Sequence, residues 1–275
     1  KVKSSINIIM MKKHPIISVT GSSGAGTTRV KDAFARIFTR QAIHAAFIDG
    51  DSYHRFNRQE LQELQAQQQN TKQKFSHLAL EANLLSELEE LFISYKASGT
   101  GKFSDYVHAE NKELIEAGFQ VGTFTPWQNL PANTDLMLYE GLHGGLVTPE
   151  YNLAQYADLL IGVAPSINLE WIQKIDRDTK LRGYSQEAVI DAIDARMPDY
   201  LRFMLPQFSR THINFQRVPL TDTSNPFDIE SPPLADESFI VIRFRGAAKA
   251  DYPYLLSMIK DSFMTRPNTL VIPGA

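Results

Sequence analysis

No cysteine occurs anywhere in the 275 residues. Disulfide bridges, thiolate metal sites and control by cysteine oxidation are therefore excluded. Charge of one sign is also not in excess: 28 basic and 31 acidic side chains leave a formal net charge of −3. Nucleic-acid-binding domains show a basic surplus, so no nucleic-acid partner is expected. No apolar run approaches the roughly 20 residues that a membrane span needs. The expectation is a cytoplasmic protein with no membrane partner. The opening stretch, Lys1–Met11, has a short apolar patch at Ile6–Met11 but neither the length nor the cleavage site of a secretory signal. Residues 1–11 read as an N-terminal extension.

The sequence is rich in short apolar runs separated by helical patterns. Ile16–Thr20, Ala45–Ile48, Leu136–Tyr139 and Leu159–Ala164 are nearly continuous, as buried parallel strands are. Thr27–Arg40 repeats Val30, Phe34, Ile37 and Phe38 at helical spacing, and Glu81–Tyr95 repeats Leu84, Leu85, Leu88, Leu91 and Phe92. Further helices are expected over Leu169–Leu181, Gln186–Arg196 and near Tyr252–Ile259. Gln59–Lys74 reads as an exposed helix and loop, and Asn225–Asp236 as a Pro-rich loop. Phe215–Leu220, Phe239–Phe244 and Leu270–Ile272 favour strand, as edge or antiparallel additions. Alternation of this kind predicts an α/β fold with a mainly parallel sheet flanked by helices. Ligands on such sheets sit at the carboxyl ends of the strands.

The first strand runs into Gly21-Ser22-Ser23-Gly24-Ala25-Gly26-Thr27-Thr28. This has the spacing of the phosphate-binding pattern G-x-x-x-x-G-K-[ST], with Thr27 in place of lysine. The glycines let successive backbone N–H groups turn toward phosphate oxygens, and the following helix adds its positive end. Thr28 offers a hydroxyl to Mg²⁺. A glycine-rich turn without a ligand is the plainer alternative. A lysine here would neutralise phosphate charge, so another cation must do so if the site works.

Acids close two of the strands. Asp51, in Asp49-Gly50-Asp51, suits a base that accepts the proton of an attacking hydroxyl, or equally an Asx turn or helix cap. Asp49 suits a structural partner. Glu140 ends Leu136-Met137-Leu138-Tyr139-Glu140 and suits a metal-site acid. Lys174, Arg177 and Asp178 share one helical face, with Arg182 one turn on, before Gly183. They would supply cations over the γ-phosphate, or form only a solvated face. His54, Arg55, Arg58, Tyr106 and His108 could hold an anionic substrate beside Asp51.

The stretches KHPIISVTGSSGAGTT, GDSYHRFNR, YVH, YEGLHGG, NLEWIQKIDRD, NFQRVP and DTSNPF together resemble the bacterial phosphoribulokinases, from about Lys12 to the end. That family also carries Thr in place of the P-loop lysine. The resemblance implies a single P-loop kinase domain over residues 12–275 and transfer of phosphate from ATP to D-ribulose 5-phosphate, giving ribulose 1,5-bisphosphate, a Calvin-cycle step. It implies Asp51 as base; Lys174, Arg177 and Asp178 at the transferring group; and Thr28 and Glu140 on Mg²⁺. It further implies His54, Arg58, Tyr106, His108 and Arg182 on the sugar phosphate, and a homo-oligomer. Another pentose phosphate or a nucleoside as acceptor, or a nucleotide-binding regulator without turnover, remain open alternatives. Some features depart from the family. Ala195-Arg196 replaces two arginines, and Glu230 falls where a basic residue is expected, although Arg40 and Arg266 match an arginine cluster for NADH. NADH activation is therefore not expected. The family also continues past Pro273 into a C-terminal helix.

Overall fold

The nearly continuous apolar runs form the middle of one large sheet. The computed structural model describes residues 13–67, 75–228, 231–246 and 250–274. In chain order β1 is Ile16–Thr20, α1 Thr27–Gln41, β2 Ala45–Asp49, α2 Arg58–Gln67 and α3 Leu85–Ser98. Then come β3 (Lys102–Phe103), α4 (Lys112–Glu116), β4 (Gln128–Asn129), β5 (Leu136–Gly141) and β6 (Leu159–Val163). The rest are α5 (Ile167–Lys180), α6 (Gln186–Asp199), α7 (Leu205–Phe208), β7 (Ile213–Pro219), β8 (Ser238–Phe244), α8 (Tyr252–Met258), β9 (Phe263–Arg266) and β10 (Thr269–Pro273). The expected N-terminal extension, residues 68–74 of the Gln-rich stretch, and Glu230 lie outside the described residues.

The sheet runs β2-β5-β1-β6-β7-β8-β10-β9. The first five strands are parallel. Of the three late strands expected as edge or antiparallel additions, β7 joins in parallel, while β8 and β10 run antiparallel. Every residue of β1 and β5 is buried, which is why both read as unbroken apolar runs. β2 lies at the edge and alternates, leaving Phe47 42% exposed.

The helix expected over 81–95 starts later, at Leu85. Leu80–Ala82 make a 3₁₀ turn, and Asn83 is drawn into an antiparallel bridge with His54. That tertiary pairing overrides the local helical spacing. β9 and the two-residue pair β3–β4 were not anticipated; segments of two to four residues carry too little periodicity to register. α6 contains Pro198 and passes into a π turn at Tyr200–Met204. Proline removes a helical hydrogen bond, and such turns often mark functional positions.

One face of the sheet packs Leu85, Leu88, Leu91, Phe92 and Tyr95 of α3 against Ile16, Met137 and Tyr139. The other face packs Phe38 of α1 against Ile17, Val19, Leu136 and Leu138. Phe92 is fully buried, with ring centroids 5.4 Å from Tyr139 and 6.5 Å from Tyr156. Phe92→Ala is expected to lower the unfolding free energy by about 3–5 kcal/mol, read from the urea midpoint.

Candidate active site

The register brings the chemistry-bearing residues together. Asp49 pairs with Glu140 across β2 and β5, and Glu140 with Val19 across β5 and β1. The carboxyl ends of β1, β2 and β5 therefore form one rim, and the glycine loop leaves from it. Gly24 and Gly26 have φ of 98° and 97°, backbone that only glycine adopts without strain. A Cβ on Gly24 would meet Glu170 O and Lys174 Cβ at 3.2 Å. The loop thus lies directly on α5.

That packing is held by side chains. The Ser22 hydroxyl donates to the carboxylate of Glu170, which is 1% exposed. Glu170 also accepts from Arg196 Nη2 at 3.0 Å and from the Tyr200 hydroxyl at 3.2 Å. Burial pushes its carboxyl up, and Arg196, Ser22 and Tyr200 oppose the rise. Tyr200 comes from the π turn, and Ala195 is the neighbour of the arginine that closes this network. Arg177 Nη2 donates to Ser23 Oγ at 2.9 Å.

The cations of α5 and of the turn after it are gathered on Asp178. Lys174, Arg177 and Arg182 all pair with its carboxylate, Arg177 at 2.8 Å and Arg182 at 3.3 Å. Asp178 is buried, and the cations outweigh burial to hold its carboxyl below the usual range. Lys174 is 12% exposed, and burial pulls its ammonium down to about 8 despite Asp178. This is not a solvated face. Two cations stand against the loop whose own lysine is missing.

The acids lie across the cleft. Asp49 caps the 3₁₀ turn Gly50–Tyr53, accepting the Asp51 N–H at 3.0 Å. Capping therefore falls to Asp49 and not to the Asp51 carboxylate. Its Oδ1 is 3.2 Å from His54 Nε2, and its Oδ2 is 3.6 Å from His108 Nε2. Burial would raise Asp51, but the hydrogen bond and charge of His54, with His108 and His77 behind, hold it below the usual range. Asp49 is raised, by burial first and then by Asp51 and Glu140. Solvent reaches both carboxylates, which are 36% and 40% exposed.

Tyr106 packs edge-on with His108, ring centroids 4.8 Å apart, and burial raises its hydroxyl while the charge of Arg58 opposes the rise. His54 and His108 thus flank Asp51, with Tyr106 against His108. Arg55 does not join them, since it bonds the backbone carbonyls of Glu81 and Asn83. His77, on the loop before α3, is held down to about 3 by burial and the charge of His54, and Asp51, Lys174 and Arg182 all lie within electrostatic reach of it. His143 is buried, and burial and the charge of His54 hold its imidazole down to about 3. Thr27 is buried, while Thr28 is exposed at the start of α1.

Sequence reading missed Lys31, Glu170 and Asn83. Lys31 Nζ lies 3.4 Å from Glu140 Oε2. Burial opposes its charge, but Glu140 and Asp49 raise its pKa. Its place three residues beyond Thr28 on α1 was a usable signal. Nothing in the sequence marks the other two.

Fold and site together define a P-loop kinase, an enzyme that transfers phosphate to an alcohol. Comparison with known proteins narrows this class. The model of the phosphoribulokinase / uridine kinase family matches residues 16–224. The chain is 56% identical to the plasmid phosphoribulokinase of Cupriavidus necator over 266 residues, covering 96% of this chain and 91% of that protein. It is 55% identical to the phosphoribulokinase of Nitrobacter vulgaris, covering 97% and 92%. The solved phosphoribulokinase from Rhodobacter spheroides superposes with a TM-score of 0.85 at 50% identity, covering 95% of this chain and 91% of that one. The chain belongs to the phosphoribulokinase / uridine kinase family.

Arg196→Ala is expected to leave Glu170 buried without its cation. The cost should be about 3–5 kcal/mol of stability, measured by chemical denaturation.

Proposed function

We propose that the protein transfers the γ-phosphoryl group of Mg²⁺-bound ATP to a hydroxyl of D-ribulose 5-phosphate, yielding ribulose 1,5-bisphosphate and ADP. One observation carries the reading. A carboxylate at a strand end, Asp51, is flanked by His54 and His108, and the cation-bearing helix α5 lies on the glycine loop, with Arg177 bonded to Ser23 and the stem of Lys174 beside Gly24. The phosphoribulokinase names of the relatives supply the sugar.

The roles follow from charge. The backbone of Gly21–Thr28 holds the nucleotide phosphates, with the start of α1 behind it. Lys174 and Arg177 leave Asp178 for the γ-phosphoryl group as negative charge spreads over its oxygens, replacing the loop lysine. Asp178 then holds the two cations in readiness rather than acting on substrate. Asp51 accepts the proton of the attacking hydroxyl. His54, Arg58, Tyr106, His108 and Arg182 hold the sugar phosphate, and this preponderance of cations favours an acceptor that already bears phosphate.

Mg²⁺ fits the donors near the loop. Glu140 is an oxygen ligand with Asp49 adding negative charge beside it, and the ammonium of Lys31 already sits against it, so the place suits a cation. Thr28 and Glu140 would hold the ion, which when bound offsets charge on the phosphates.

In a coupled ADP-release assay, Asp51→Asn should lower kcat by at least ~10²-fold. Unchanged turnover removes Asp51 as base. Chelation with EDTA should stop turnover and added Mg²⁺ restore it. A panel of acceptors tests the sugar: preference for uridine would overturn the phosphate pocket, and ATP binding without ADP release for any acceptor would favour a regulator.

The depressed Lys174 gives a pH signature. The ammonium is charged below about 8 and loses its proton as pH rises through that value. The kcat/KM for ATP should therefore fall on the alkaline side. In Lys174→Arg the guanidinium stays charged, so that limb should move to higher pH even if the rate is lower.

A further inference from the structure

The segment from His77 to Asn83 is fastened to the segment that carries the base. Arg55 N–H donates to Ala82 O at 2.8 Å, and Leu84 N–H to Tyr53 O at 2.7 Å. Between these bonds lie the side chains of His54 and Asn83, 7% and 3% exposed. Asn83 Nδ2 is 2.8 Å from His77 O and 2.7 Å from Ala79 O. Both are carbonyl acceptors, so the amide nitrogen must face them. Turning the amide over would set its oxygen against two other oxygens. Asn83 Oδ1 therefore faces His54 Nδ1, at 2.9 Å, as an acceptor. Only a protonated Nδ1 can complete that bond.

With Nδ1–H given to Asn83, Nε2 remains for Asp51 Oδ1, 3.2 Å away. Two lone pairs cannot face each other there. A proton lies in the contact, and with Asp51 ionised it belongs to His54. We propose that Asn83 is a positioning residue, which fixes the ring of His54 so that Nε2–H points at Asp51 and the two groups stand as an imidazolium–carboxylate pair before substrate arrives. The pairing keeps Asp51 deprotonated and aimed into the cleft, ready to receive the hydroxyl proton. It also presents a positive charge toward an anionic sugar. The bearing on catalysis rests on Asp51 being the base; the state of the His54 ring does not.

Other charged groups around the ring act in both directions. Asp51 and Asp49 favour the imidazolium, as does the bond to Asn83, while burial opposes it. The His77 ring packs tilted against His54, centroids 4.6 Å apart, and His143 lies within reach of its charge. His108 faces Asp51 from the other side. Lys174 of α5, and Arg182 just beyond its end, act on His77 from the same side.

The test is ¹H–¹⁵N NMR of the histidine rings in the full chain without substrate, with His54→Gln used to assign the resonance. In the unmutated protein at mildly acidic pH, both His54 nitrogens should be protonated. Asn83→Leu removes the acceptor and should move the titration midpoint of His54 down by about one pH unit. Asn83→Asp puts a carboxylate in its place and should move the midpoint up. kcat/KM for the sugar phosphate should fall in Asn83→Leu with KM for ATP unchanged. A singly protonated His54 in the unmutated protein overturns the proposal. So do midpoints that stay put, or that move the same way in both variants, which is the pattern of a residue that only braces the backbone. If Asn83→Leu does not fold, the unmutated spectrum and Asn83→Asp still decide. Absence of turnover with ribulose 5-phosphate would sink the substrate assignment and leave the His54 result standing.

Discussion

A carboxylate taken out of water must find partners, and Glu170 finds three: a loop serine, an arginine of α6 and a tyrosine of the π turn. That demand is what joins the glycine loop to the rest of the site. Glu170 and Lys174 lie on neighbouring turns of α5, so the helix that anchors the loop is the helix that bears the cations. The loop's missing lysine and the anchoring of the loop on α5 are two sides of one arrangement.

Charge is sorted across the cleft by the sheet. Parallel pairing puts Asp49 and Glu140 side by side, and Lys31 stands near them as a counter-charge. Opposite, Lys174, Arg177 and Arg182 converge on the single carboxylate of Asp178. Each side without ligand is partly neutralised by its own internal partners. Nucleotide and metal would replace these partners rather than enter an unbalanced field.

The central strands β1 and β5 were legible because burial on both faces writes them as unbroken apolar runs, and the glycine loop because its spacing is local. The acids were legible because a strand end is a sequence position. What could not be read was any role created by folding. Asn83 reads as one more residue of the helix expected from Glu81 until its bridge to His54 is formed, and Glu170 as one more helical acid until α6 supplies Arg196. The helix expected from Glu81 failed for the same reason, since its first turn is spent on that bridge. The cap reading of Asp51 fell away only once Asp49 was seen to take that place.

Glycine-rich loops have many conformations to lose, and a ligand that must freeze one gives up binding free energy in doing so. Here Ser22 and Ser23 are each tied to α5, and a Cβ at Gly24 would already be in contact with that helix. The entropy of the loop is therefore spent at folding, not at the arrival of nucleotide, so less of the phosphate contact energy goes into shaping its own cradle.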